Sequence, residues 1–333
     1  MMVKNEEERL NAIRAAIKSK RLRWKAGPTE ISSKSKEDRK KMLGAIIDED
    51  RVKDILRWQK EKESKRSRSI TGPVAPSPKW DWRNVSGWNW TTPIRNQGLT
   101  CCSCVAFAVI GALEMLLKKQ AFNDPVKNPD LSEAHLFFCN NGQCGEGNVS
   151  HDKLLDYLMV NGVPDEACYP YTPIDQPCKT CPDWKARIVF GTKLKAWSRV
   201  TDINEMKALL RTHGCLVSEY LAVFDDFDAY TGGIYEHAWG EFEGGHSVAV
   251  VGYDDAEGCW TCKNSYGTGW GETYPPNGDG PAGWFRIAYG ECGIDWRMYR
   301  MDLDLPRGWM PPKTVASASQ AARDRLIEKL ANG

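Results

Sequence analysis

Long apolar runs are missing from this 333-residue chain: nothing in it approaches the roughly 20 residues that a membrane-crossing helix needs. A secretory leader core is missing too, because Met1-Met2-Val3-Lys4-Asn5-Glu6-Glu7-Glu8 opens the sequence in charge. That absence leans toward a chain kept reduced in the cytoplasm; another export route or an incomplete N-terminus are the alternatives. A charge excess of one sign is also missing, since 45 Lys+Arg against 44 Asp+Glu leave a formal net charge of +1. The balance conceals a division. Residues 1–72 hold 21 Lys+Arg against 12 Asp+Glu, or +9, which leaves −8 for the remainder. A basic arm for nucleic acid or membrane is one reading of such asymmetry. A basic segment held against an acidic body in the same chain is the nearer one, so neither nucleic acid nor membrane is expected as a partner.

Three segments, in a fixed order, carry the chemistry. The first is Gln97-Gly98-Leu99-Thr100-Cys101-Cys102-Ser103-Cys104 and the second Gly244-Gly245-His246-Ser247; the third runs Lys263-Asn264-Ser265-Tyr266-Gly267-Thr268-Gly269-Trp270. His246 follows Cys104 by 142 residues, and Asn264 follows His246 by 18. Singly, each has an ordinary reading: a lone cysteine is usually a small buried hydrophobe, and a histidine opening an apolar strand is usually core. Together they supply a thiol, a base that can take its proton, and an amide that can orient the base. A thiolate–imidazolium pair of that kind attacks a peptide carbonyl.

The order and separation of these segments resemble the papain-like cysteine peptidases over residues 76–303. The resemblance implies an α+β fold of two lobes, a helical lobe carrying Cys104 and a β-barrel-like lobe carrying His246 and Asn264. Gln97 matches the side-chain donor of the oxyanion hole, with the Cys104 backbone N–H as second donor. Trp270 matches the ring that shields the asparagine. Gly145, Gly147, Leu216, Gly244, Gly245 and Ser247 match positions along the substrate cleft, with Arg297 at the floor of the pocket for the residue two before the cut. There Arg297 would favour an acidic residue, or else point outward. The chain departs from the family in one extra residue after Gly98, in Cys102 for glycine, in Val105 for tryptophan and in Tyr266 for tryptophan. The expected activity is therefore a cysteine endopeptidase acting on peptides or proteins without a cofactor or metal. The alternative is a catalytically weak or inactive papain-like peptide-binding module.

The remaining regions read as attachments. Residues 1–75 form a prosegment-like region with helices over 6–25 and 36–65, a turn at Trp24-Lys25-Ala26-Gly27-Pro28-Thr29, and a Pro/Ser/basic linker over 64–78 that invites cleavage. In the family such a segment inhibits in cis by lying backwards through the cleft. Residues 304–333 are a C-terminal extension with a helix over 315–331, and the whole is expected to be a monomer. Of the 12 cysteines, the resemblance pairs Cys101 with Cys144, and Cys139 with Cys178 or Cys181, leaving Cys168 for the other. Cys215, Cys259 and Cys262 read as buried thiols, and Cys292 lacks its usual partner. Zinc binding by the Cys-x-x-Cys pairs is a weaker reading. A secreted or lysosome-like compartment is what the family resemblance suggests instead of the cytoplasm.

Overall fold

The computed structural model describes residues 2–65, 78–147, 149–276 and 278–310. Residues 66–77 of the linker expected over 64–78, and the C-terminal helix expected over 315–331, lie outside the described residues.

The N-terminal region holds three helices and one strand: α1 (Met2–Ser19), β1 (Trp24–Ala26), α2 (Lys36–Lys40) and α3 (Glu49–Lys65). Two expectations are corrected here. The helix read over 36–65 is broken between α2 and α3, because residues 41–48 pass over the larger part of the chain, against Cys102 and Gly245, instead of coiling. The turn read at Trp24 opens as a strand whose indole is buried 5.1 Å from the Tyr235 ring and 6.2 Å from Tyr230. Serine 35 caps α2 by accepting from the Asp38 N–H, as its spacing from Asp38 suggests.

The helical lobe is built on α4 (Cys104–Leu116), of which every residue is buried; it packs on α5 (Glu133–Phe138) and α6 (His151–Val160). Ser132 and Ser150 cap the last two. A helix all of whose faces are apolar must be enclosed, and α4 meets the second lobe as well, against β4 (Leu216–Ser218) and β8 (Ala249–Asp254). The remaining strands are β2 (Lys79–Asp81), β3 (Leu194–Val200), β5 (Leu221–Phe224), β6 (Tyr230–Tyr235), β7 (Phe242–His246), β9 (Cys259–Lys263), β10 (Trp284–Ala288) and β11 (Met298–Leu303). An amphipathic helix, α7 (Ile203–Thr212), buries Met206 and Leu210 and was not anticipated.

The main sheet runs β1-β6-β10-β9-β8-β4-β11-β3, with β2 beside β8; β5 and β7 form a separate antiparallel pair. The path ends at β1 and β3 and does not close, so the second lobe is an open, coiled sheet among the described residues. Its first strand belongs to the N-terminal region, pairing antiparallel with β6 from Trp24↔Gly233 onward. Three disulfides, Cys101–Cys144, Cys139–Cys178 and Cys168–Cys181, tie loops of the helical lobe. Cys102, Cys104, Cys215, Cys259, Cys262 and Cys292 are buried thiols.

Candidate active site

Cys104 opens α4, where unpaired backbone N–H groups and the helix dipole favour a negative charge. His246 closes β7 and Asn264 directly follows β9, so the β-lobe carries base and amide to the same place. His246 Nε2 lies 2.8 Å from Asn264 Oδ1, and its Nδ1 has no hydrogen-bond partner. The two lobes are braced behind the site. Lys263 Nζ donates to Thr92 Oγ1 at 2.7 Å, Thr92 Oγ1 donates to Glu114 Oε2 at 2.6 Å, and Glu114 stands on α4.

Aromatic rings pack around this pair. Tyr266 is the ring against the imidazole, 4.8 Å between centroids, and Trp270 packs behind it at 5.3 Å and on Phe227 at 5.0 Å. Tyr266, one of the chain's departures from the family, thus faces the imidazole directly.

Gln97 is fully buried and anchored on both sides. Its backbone N–H donates to the Ser265 carbonyl at 2.9 Å, and its Oε1 accepts from Ser265 Oγ at 2.6 Å. The adjoining Gly98 has a φ of +75°, which a side chain would strain. Nε2 of Gln97 is left to donate at 2.9 Å to two carbonyls, those of Cys101 and Met42.

Met42 belongs to the N-terminal region, which is why Cys104 has no exposed surface. The Ala45 N–H donates to the Gly245 carbonyl at 3.1 Å. A Cβ on Gly147 would stand 3.0 Å from the Gly44 Cα, and one on Gly244 would stand 3.0 Å from Leu43 Cδ1. Gly147, Gly244 and Gly245 therefore form the walls around residues 42–45, while Gly145 has open space where its side chain would be. Enclosure sets the charge state. Burial pushes the Cys104 thiol up to about 12 and holds the His246 imidazole down at about 4, against which the Asn264 hydrogen bond acts weakly.

The other pocket residues lie deeper. Leu216 is buried in β4 opposite Val250, and Ser247 Oγ donates to the Ser218 carbonyl and hydrogen-bonds His151 Nε2. Arg297 is not the uncompensated cation that an acidic-residue pocket needs: its Nε donates to Glu219 Oε2 at 2.5 Å. No local pattern in the sequence marks Glu219 as the partner of Arg297.

The N-terminal region is also held by charge. Arg9 grips both carboxylate oxygens of Asp228 at 2.9 Å, Lys36 reaches Asp225 at 2.8 Å, and Arg39 lies among Asp228, Glu243 and Asp225. Farther along, Gln59 donates to Glu291 and accepts from the Cys292 N–H, and Ile55 packs on Gly293.

Comparison with known proteins agrees with this geometry. The family model described as "Papain family cysteine protease" matches residues 76–300. Cysteine proteinase 1 of Entamoeba histolytica is 36% identical over 231 residues, 66% of this chain and 67% of that protein. Cathepsin K of Gallus gallus is 32% identical over 62% of each chain, so the match spans about two thirds or less of these relatives' length. Among solved structures, procathepsin L 3 of the Tenebrio molitor larval midgut superposes with a TM-score of 0.65 at 22% identity, covering 90% of both chains. That likeness concerns the fold, and it extends over the N-terminal region as well as the peptidase body. With a cysteine at a helix start, a histidine held by an asparagine and a chain segment lying across them, the protein belongs to the papain family of cysteine proteases.

Proposed function

We propose that this chain is a latent cysteine endopeptidase that its own N-terminal segment blocks. In the open enzyme Cys104 passes its proton to His246, and the resulting thiolate adds to the substrate carbonyl. The oxyanion is met by Gln97 Nε2 and the Cys104 N–H. His246 returns its proton to the departing amine, leaving an acyl-enzyme at Cys104. Water, deprotonated by His246, then attacks the acyl carbon and releases acid and thiol. Asn264 fixes the imidazole through the ring nitrogen that does not meet the thiol.

One observation carries the latency: the Gln97 amide, the donor suited to an oxyanion, is engaged by the Met42 carbonyl while Cys104 is wholly enclosed. Segment 42–45 thus fills the cleft that a substrate would use, running in the opposite direction. An internal cut is favoured because the N-terminal segment continues on both sides of Gln97, to Arg39 at one end and to Gln59 at the other. The neutral Arg297–Glu219 pair removes the ground for an acidic residue two before the cut. The three disulfides favour an oxidising, secreted or lysosome-like compartment over the cytoplasm.

A peptidyl epoxide directed at cysteine peptidases tests the reading by mass spectrometry. One adduct at Cys104, faster after removal of residues 1–65 and lost in His246→Ala, is the expected result. No adduct on folded protein in either form would overturn it in favour of a binding module.

A further inference from the structure

Three carboxylates converge at one end of the cleft. Asp225 follows β5, Asp228 closes the turn around Phe227, and Glu243 stands on β7 three residues before His246. Pairing of β5 with β7 at Phe224↔Phe242 brings them together. Phe227, between the two aspartates, packs on Trp270, and Trp270 packs on the Tyr266 ring that covers His246. The neighbouring Asp226 has a different task, accepting from the Ala238 and Trp239 N–H groups and the Tyr235 hydroxyl.

A guanidinium already occupies the cluster. Arg39 lies with Nε 2.9 Å from Asp228 Oδ2, and with Nη2 3.1 Å from Glu243 Oε1 and 3.6 Å from Asp225 Oδ1. Its side chain is 7% exposed, and the carboxylates are between 2% and 10% exposed. Arg39 comes three residues before Met42, whose carbonyl meets Gln97. Residues 43–45 lie beyond Gln97 against Gly147, Gly244 and Gly245, where the acyl half of a substrate is expected. The carboxylates therefore lie on the side from which the amine departs.

We infer that Asp225, Asp228 and Glu243 form a substrate subsite that takes an arginine or lysine side chain within the first few residues after the cut. The inference rests on the endopeptidase reading and adds to it a substrate class. When the N-terminal segment leaves, Arg9, Lys36 and Arg39 leave together, and three crowded carboxylates lose every cation that faces them across the interface. A substrate guanidinium restores the ion pairs that Arg39 made with Asp228 and Asp225 and its charge-assisted hydrogen bond to Glu243.

The test uses the full chain, folded and then activated by limited proteolysis. Internally quenched peptides share one acyl half and carry Arg, Ala or Glu at the first, second or third position after the cut. At one position Arg is expected to exceed Glu in kcat/KM by about tenfold or more, roughly 1.4 kcal/mol, a preference that shrinks as salt is added. The ratio is expected to collapse in Asp228→Asn combined with Glu243→Gln. The salt series on the unaltered chain decides the matter by itself if those variants fold poorly. Cleavage of all peptides with Arg and Glu within about twofold of each other at every position would overturn the subsite and leave the peptidase intact. No cleavage of any peptide together with no epoxide adduct at Cys104 would overturn both.

Discussion

Gly44→Ala isolates the latency from the chemistry. Gly44 has an ordinary backbone conformation, so the added methyl acts through space alone. Its Cβ would stand 1.8 Å from the Cys102 carbonyl oxygen, 2.7 Å from the carbonyl carbon and 2.9 Å from the Cys102 Cβ. Carbon and oxygen pack at about 3.3 Å, so the crossing segment must retreat by about 1.5 Å. Neither flanking hydrogen bond survives that displacement, Met42 O to Gln97 at 2.9 Å or Ala45 N–H to Gly245 at 3.1 Å. Two hydrogen bonds at about 1 kcal/mol each, with about 1–3 kcal/mol of overpacking, weaken closure by about 3–5 kcal/mol. That is roughly two to four powers of ten in the open fraction. The assay is the rate at which uncleaved protein loses its Cys104 thiol to an epoxide. Gly44→Ala is expected to react at least about a hundredfold faster than the unaltered chain. Equal rates for the two uncleaved proteins would refute the placement of residues 42–45 over Cys104.

Removing Arg39 leaves Asp228 and Glu243 buried without their shared cation, so Arg39→Ala is expected to destabilise the uncleaved chain by about 3–5 kcal/mol, read from urea midpoints. A change under about 0.5 kcal/mol would mark the contact as superficial. Burial and the adjoining Asp225 raise Glu243 to about 7, whereas hydrogen bonds from Glu243 and Lys36 outweigh burial to hold Asp225 at about 2. A carboxyl raised on folding contributes stability that is complete below its unfolded value near 4.5 and is lost as pH rises through 7. The thermal midpoint of uncleaved protein is therefore expected to fall between pH 5 and pH 8 relative to that of Glu243→Gln; parallel curves would contradict this. Asp225 acts in the opposite sense, its contribution being present above about pH 4 and lost as pH falls toward 2. In activated enzyme, Gln97→Ala is expected to lower kcat by about 10²- to 10³-fold with little change in KM, as the loss of one oxyanion donor does. An unchanged kcat would show that Gln97 serves the loop alone.

The candidate trio Cys104, His246 and Asn264 stands out in the sequence because each member lies in a short contiguous motif, and chemistry restricts which residues can serve. The disulfide choice between Cys178 and Cys181 was not, since both stand on one loop and only the folded path sets Cys178 beside Cys139. Helix and cleft-crossing segment look alike in composition: Leu43, Ile46 and Ile47 are spaced as an apolar helical stripe would be, yet they lie between α2 and α3. Strand β1 was hidden because three residues become a strand only when a partner edge is supplied, here by β6. Helix α7 carried a readable signal, Asp202 as cap with Met206 and Leu210 one turn apart. The acidic cluster demanded knowledge of which strands pair, which no local pattern contains.

The junction of β1 with β6 has a consequence for what happens after activation. In the intact chain the peptide groups of Tyr230–Gly233 are zipped to residues 24–26, and a buried indole seals the seam. Once the N-terminal segment departs, β6 becomes the sheet's terminal strand, with bare donors and acceptors facing solvent beside a patch of tyrosine rings. Such margins recruit other chains. On the latency proposed above, storage stability is traded for availability: the cut that uncovers the thiol also uncovers a sheet edge along which copies can join.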